Sequence, residues 1–236
     1  PATPATLYRA GSLAKPITAM SVMQLAEAGE IDIDQPLQGY LPEFSIRSRF
    51  DTTAEPITVR SLLCHHSGLP TDLNKGMWSE QPFTEVASWL GEEYAAFPPN
   101  LVFSYSNVGY TLLGHMVEEV SGVPYRDYMA REIFRPLGMV NSSMGPPQGE
   151  REEALAKGYR AGQEAELLPV RDLPALCRYT SAADLGACRQ TLLSAGKAGP
   201  RQFLLPGTLE EMFEPQNEHI ALDLDVVNGL GWFLED

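Results

Sequence analysis

The segment from about Leu13 to Ala28 constrains this chain more than any other. Its apolar residues Ile17, Ala19, Met20, Val22, Met23, Leu25 and Ala26 fall all round a helix, not on one stripe. A helix of that kind is central and buried, so the rest of the chain must wrap it. Gly29 stops it. Pro16 falls in its first turn, where a missing N–H costs little. Ser12 stands at its N-terminal edge, with Lys15 three residues on.

The rest of the chain reads as further helices with few convincing strands. Thr58 is an expected N-cap for a short helix Val59–Cys64, and the chain leaves it through Gly68 and Pro70. Thr84 is expected to cap a helix to about Ala96, ended by Pro98 and Pro99. Tyr105 falls in a loop just before a helix from about Val108 to Val120, ended by Gly122. Further helices are expected at about Pro124–Phe134, Leu185–Leu193 and Leu209–Phe213. Ser181 and Asp184 form a capping-box pattern before Leu185–Leu193. Gly145 to Gly162 is the most polar stretch and is expected to be exposed and mobile. The last residues, Gly229 to Asp236, read as a strand entering a sheet. No repeat or domain boundary is evident in the 236 residues, enough for one substantial core.

The totals exclude some partners. The net charge is −14. A surface that acidic repels nucleic acid and anionic membranes. No apolar run approaches the ~20 residues of a membrane span. Cys64, Cys177 and Cys188 lack metal-like spacing and read as buried or free thiols. The pair His65-His66 has no carboxylate or cysteine at a ligand interval. No metal or cofactor is expected. The chain opens Pro-Ala-Thr-Pro with no initiator Met and no signal-peptide pattern, so it reads as a processed or trimmed product.

Ser12-Leu13-Ala14-Lys15 pairs a hydroxyl with an amine at a spacing that brings them to one helix face, Cβ atoms ~5–6 Å apart. The helix N-terminus adds partial positive charge and free N–H groups. Apolar neighbours would desolvate Lys15 and favour its neutral, basic form. Such a pair suits acyl transfer through a serine ester. The four letters alone are weak evidence: Ser12 could be a simple N-cap, and Ser194-Ala195-Gly196-Lys197 repeats the spacing. That second copy lies among glycines and a proline and reads as a solvated helix end. Tyr105-Ser106-Asn107 adds a phenol and an amide. A tyrosine near a lysine ammonium can have its pKa depressed and act as a base. Asn107 could hold a substrate carbonyl while also bonding Lys15, or could merely cap the next helix.

Taken in order, these motifs and their flanks resemble the serine β-lactamase and penicillin-binding protein family, specifically its class C-like branch. The resemblance is carried by Leu7-Tyr8-Arg9-Ala10-Gly11-Ser12-Leu13-Ala14-Lys15-Pro16 and by Leu62-Leu63-Cys64-His65-His66-Ser67-Gly68-Leu69-Pro70. Phe103-Ser104-Tyr105-Ser106-Asn107-Val108-Gly109-Tyr110 and Gly229-Leu230-Gly231-Trp232 extend it, so it covers nearly the whole chain. It implies an α/β (α+β) β-lactamase/transpeptidase-like fold: an antiparallel sheet flanked by helices, plus a helical subdomain. It further implies a single catalytic domain over residues 1–236, incomplete at both ends. By the same resemblance Ser12 is the nucleophile, Lys15 its activator, Tyr105 the general base and Asn107 a substrate-positioning residue. The implied substrate is a small molecule or peptide: a β-lactam, a D-amino-acid peptide or an ester. An extracytoplasmic location is implied in the same way.

The departures from the family pattern are specific. Only eleven residues precede Ser12, where the family has strands. Its third motif, on a strand after Gly-Leu-Gly-Trp, is missing. His66-Ser67-Gly68 and Lys197-Ala198-Gly199 match that motif in letters but not in position. A complementary chain is one source of the missing strands. Leu176-Cys177 stands where relatives often carry a Gly pair, which implies a different pocket rim. The rival expectation is a non-catalytic binding or structural module, inactive for want of the third motif. The intact set Ser12, Lys15, Tyr105 and Asn107 argues against it.

Overall fold

The computed structural model describes residues 1–50 and 55–235. In chain order, strand β1 (Tyr8–Arg9) leads through a 3-10 turn (Gly11–Leu13) into α1 (Ala14–Glu27). Then come α2 (Val59–Leu63), α3 (Val86–Trp89), α4 (Asn107–Ser121) and α5 (Tyr125–Tyr128), which continues as a π-helical turn (Met129–Phe134). Strands β2 (Ser143–Met144), β3 (Gly158–Arg160) and β4 (Gln163–Ala165) precede α6 (Leu173–Leu176), β5 (Arg178–Thr180) and α7 (Ala182–Leu193). The chain closes with β6 (Lys197–Ala198), β7 (Arg201–Gln202), α8 (Pro206–Phe213), β8 (Val227–Asn228) and β9 (Phe233–Leu234). Among the described residues no helix is long and apolar enough to cross a membrane.

α1 is the buried axle that its sequence requires. Ile17, Ala19, Met20 and Val22 are at most 1% exposed although they point in different directions. α4 and α6 pack against it. The polar residues of α1 are absorbed locally. Tyr125 Oη lies 2.7 Å from Thr18 Oγ1, which donates to the Pro174 carbonyl at 2.7 Å. That chain of hydrogen bonds ties α1 to α5 and α6. α4 meets α6 so closely that a Cβ on Gly114 would lie 2.1 Å from Pro174 Cγ. Only glycine permits that approach.

Beside the axle, β5 is the middle strand of a small antiparallel sheet, order β1-β5-β2, with Tyr8 opposite Thr180 and Ser143 opposite Tyr179. The sheet fixes where β1 ends, and so where the turn carrying Ser12 begins. Two-stranded hairpins join β3 to β4, β6 to β7 and β8 to β9. The family resemblance's helix-rich fold with antiparallel strands is the fold observed.

Local expectations held where caps are strong. Thr58 accepts from Ser61 N–H in a reciprocal capping box, and Ser181 accepts from Asp184 N–H. Asp184 does not reciprocate; its carboxylate takes Ser142 Oγ–H and the Asn141 amide instead. One expectation needs correction. The helix expected over Thr84–Ala96 is broken into a 3-10 turn (Phe83–Glu85), α3 and a second 3-10 turn (Leu90–Glu92). Its last residues leave the helix because Glu93 O and Ala95 N pair with Arg47. The polar stretch Gly145–Gly162 is mostly exposed, as expected, and it forms a 3-10 turn (Gly149–Ala154) before entering the β3–β4 hairpin. Leu155 anchors it through a bridge to Leu7 beside the core. The expected terminal strand is the β9 arm of a hairpin; Asp236 lies outside the described residues. The three cysteines are separate, buried free thiols.

Candidate active site

The 3-10 turn before α1 presents Ser12 at the protein surface. No side chain caps this turn or α1, so Ser12 Oγ is not consumed as a cap. Lys15, one helical turn on, is only 4% exposed. Its Nζ lies 2.6 Å from Asn107 Oδ1, 3.1 Å from the Ala175 carbonyl and 3.3 Å from Ser12 Oγ. Burial pulls the Lys15 pKa down to about 7, against the opposing fields of Asp72 and Asp172. Near neutral pH the amine is therefore shared between charged and free forms.

These contacts suit both forms. The ammonium has three N–H donors, one for each oxygen. The free amine keeps two, for Asn107 Oδ1 and the Ala175 carbonyl, and turns its lone pair toward the Ser12 hydroxyl. The free amine is thus placed where it could accept the Ser12 proton, with its other positions fixed.

Tyr105, Ser106 and Asn107 reach the same point from the start of α4 and the loop before it. Ser106, not Asn107, caps that helix: its Oγ accepts from Gly109 N–H at 2.9 Å and donates to the Pro70 carbonyl at 2.7 Å. Asn107 is left free to serve as a bracket between Lys15 and Asp72, donating to Asp72 Oδ1 from Nδ2 at 2.7 Å. The second Nδ2 proton has no protein partner among the described residues. The Tyr105 ring centre lies 4.5 Å from Lys15 Nζ. Its hydroxyl pKa moves up, not down as expected from the sequence. Burial dominates, while a hydrogen bond with Ser12 pulls the other way. The phenol is neutral at working pH, so it can relay a proton but does not stand by as a phenolate.

Sequence reasoning missed the groups that hold this set. His65 Nδ1 accepts the Ser106 N–H at 3.1 Å, which puts the ring proton on Nε2. Its ring lies 4.4 Å from that of Tyr105. Burial, with smaller contributions from Lys15 and His66, pushes its pKa down to about 3 and keeps it neutral. Its φ of 61° is the left-handed conformation, a strained one for a side-chain-bearing residue. Next to it, His66 bridges the Cys64 carbonyl and Asp223 Oδ2, each at 2.7 Å. Asp223 also accepts the Phe103 N–H at 2.6 Å, which anchors the loop that carries Tyr105. A fully buried Arg171–Asp172 pair at 2.6 Å fixes the segment that supplies the Ala175 carbonyl. The adjacent pair of histidines was the one visible signal for this framework; Asp223 and Ala175 gave none.

Ser12, Lys15 and Tyr105 open onto a cavity of about 360 Å³. Its far wall is the β8–β9 hairpin, including Trp232 and Phe233. Gly231 seats that hairpin: its N–H donates to the Leu63 carbonyl at 3.1 Å, and its φ is 87°. The second copy of the spacing is far from all this. Ser194 ends α7 and Lys197 lies on β6, both exposed.

A helix-centred α+β fold with small antiparallel sheets and a buried lysine beside a surface serine is the frame of β-lactamase-like serine hydrolases. The chain belongs to the beta-lactamase family, whose model matches residues 1–236. Penicillin-binding protein 4 of Amycolatopsis lactamdurans is 32% identical over 173 residues, 71% of this chain and 44% of that protein. The octameric penicillin-binding protein homologue from Pyrococcus abyssi superposes with a TM-score of 0.77 at 26% identity, covering 100% of this chain and 55% of that one. The β-lactamase/D-alanine carboxypeptidase from Yersinia pestis shares the fold, with a TM-score of 0.77 at 24% identity over 98% of this chain and 68% of that one. The chain spans about half the length of the curated relatives it matches.

Proposed function

We propose that this chain is the catalytic part of a serine hydrolase that works through a covalent acyl-enzyme on an ester or amide, in the class C-like branch of its family. The observation that carries the reading is Lys15: buried, with a pKa lowered to about 7, and hydrogen-bonded so that its remaining position faces Ser12 Oγ. A structural lysine has no need of that arrangement. Perturbed groups of this kind cluster at functional sites.

In this reading Ser12 Oγ attacks the acyl carbon, and its proton passes to the Lys15 amine. An Oγ–C bond forms as the bond to the leaving group breaks. The neutral Tyr105 hydroxyl, beside both Ser12 and Lys15, relays the proton to the departing oxygen or nitrogen. Water then adds to the ester carbonyl by the same relay run in reverse, restoring Ser12 and releasing a carboxylic acid. Asn107 holds Lys15 and offers its second Nδ2 proton to the substrate carbonyl. The Ser12 N–H, in the first turn before α1, is an oxyanion donor of the kind that helix starts leave unpaired.

The test is intact mass after incubation with a fluorescent penicillin and, separately, a fluorophosphonate. A covalent adduct that maps to Ser12, and is lost in Ser12→Ala, is the expected result. No adduct with either probe, on protein shown to be folded by circular dichroism, overturns the reading in favour of a binding module.

A further inference from the structure

We infer that Asp72 is a positioning residue for this site: its carboxylate holds the Asn107 amide one way round, and Asn107 so held turns the Lys15 lone pair to Ser12. The inference rests on the acyl-enzyme reading and names the group that orients its base. Residues 70–72 are stitched to the start of α4. The Thr71 carbonyl accepts the Asn107 N–H at 2.8 Å, the Pro70 carbonyl accepts the Ser106 Oγ–H at 2.7 Å, and Asp72 Oδ1 accepts from Asn107 Nδ2 at 2.7 Å. Ser106 caps α4, so the Asn107 side chain takes its orientation from Asp72 and not from its own helix.

The direction of each bond follows from what each group can do. An amide has an accepting end and a donating end of nearly the same shape, whereas an ionised carboxylate only accepts. Asp72 therefore draws the NH2 end of Asn107 and leaves Oδ1 for Lys15 Nζ, 2.6 Å away. The Ala175 carbonyl, 3.1 Å from Nζ, likewise only accepts. These two oxygens take both protons of the free amine. Its lone pair falls to the third neighbour, Ser12 Oγ at 3.3 Å. With Asn107 turned round, its NH2 would donate to that lone pair, and the amine would meet Ser12 with a proton instead. Asp72 also acts through its field. It is the stronger of two carboxylate fields that oppose burial at Lys15; the other, Asp172, is paired with Arg171. The remaining titratable groups near the amine, His65, Tyr105 and Tyr110, are kept neutral by burial.

The experiment uses Asp72→Asn, which keeps the size of a partly exposed side chain and removes its charge. Two quantities are read on protein shown to be folded by circular dichroism. One is the rate at which a fluorophosphonate labels Ser12 as a function of pH, by intact mass. The other is the Lys15 titration, by NMR of lysine labelled at Cε, with Lys15→Met to assign the signal. The labelling rate on the alkaline plateau is expected to fall about tenfold, the scale of losing one hydrogen bond to a charged group. The Lys15 midpoint is expected to move down from about 7 by about one pH unit, because a carboxylate's field favours the ammonium. An unchanged plateau rate, with Ser12 still labelled, overturns the positioning role and leaves the acyl-enzyme reading standing. A slower plateau with an unmoved Lys15 midpoint overturns it too, since a merely structural defect slows the rate alone. No labelling of Ser12 in the folded parent overturns the acyl-enzyme reading itself, and the role of Asp72 with it.

Discussion

The same four-residue spacing occurs twice in this molecule, and the two copies have different fates. Ser12 precedes a helix; Ser194 follows one. Before α1 the backbone continues helically, so Lys15 returns to the face of Ser12 and sinks into the core at 4% exposure. After α7 the chain passes through Ala195 and Gly196, both at positive φ, and puts Lys197 on a strand. Among the described residues neither the Ser194 hydroxyl nor the Lys197 amine has a hydrogen-bond partner. The lesson is directional. A serine and a lysine three apart become a chemical pair only when the helix runs from the first to the second, and only when the lysine is desolvated.

Removing the hydroxyls gives the largest contrast. Ser12→Ala is expected to lower ester hydrolysis by about 10⁴-fold or more, since the proposed acyl-enzyme forms on its hydroxyl. Ser194→Ala should leave kcat/KM unchanged. Steady-state kinetics on the two variants side by side would break the comparison if the losses were similar.

The lysines come next. Lys15→Met is expected to cost about 10²–10⁴-fold in kcat/KM, the range for loss of a positioned base. In the parent, kcat/KM should rise as pH passes through about 7, where the free amine becomes populated. Stability adds an independent readout. The folded pKa of Lys15 lies below its unfolded value of 10.5. Between about 7 and 10.5 the unfolded chain binds the extra proton, so this residue's penalty is full below pH 7 and fades as pH rises to 10.5. Urea unfolding of the parent relative to Lys15→Met should show stability rising with pH across that window. A flat difference would mean that Lys15 is not desolvated.

What could be read from the sequence follows the reach of each interaction. The all-round apolar pattern of α1, the caps at Thr58 and Ser181 and the Ser12–Lys15 spacing are local, and they appear in the fold as read. The partners that make Lys15 chemical are not local: Asn107 is 92 residues away and Ala175 is 160. The Tyr105-Ser106-Asn107 motif offered Asn107 as a partner for Lys15 or as a mere helix cap; nothing in the letters pointed to a backbone carbonyl at Ala175. The direction of the Tyr105 shift was misread for the same reason. A nearby cation can be guessed from a motif, but burial of the phenol is a property of the packed chain. His65 in a left-handed conformation, and Asp223 under His66, belong to the same category.

The cavity wall separates the two copies further, since only Ser12 faces a partner hairpin. A Cβ on Gly231 would lie 2.5 Å from the Ala19 Cβ, on the rigid buried face of α1. Gly231→Ala also places a side chain at a φ of 87°. The hairpin must lift from α1, at a cost of about 1–3 kcal/mol for overpacking. Urea denaturation should show that loss, with kcat falling alongside it because Trp232 and Phe233 move with the hairpin. Unchanged stability and activity would mean that the hairpin does not seat against α1.

The smallest expected effect is the sharpest control. Lys197→Ala removes an exposed amine with no hydrogen-bond partner among the described residues, so stability should stay within about 0.5 kcal/mol of the parent. The pH profile should keep its rise near 7, because that rise belongs to Lys15 alone. If Lys197→Ala flattened the profile, the spacing itself would be acting without burial or helix direction. The contrast between the two copies would then have to be explained by something other than where each lysine lies.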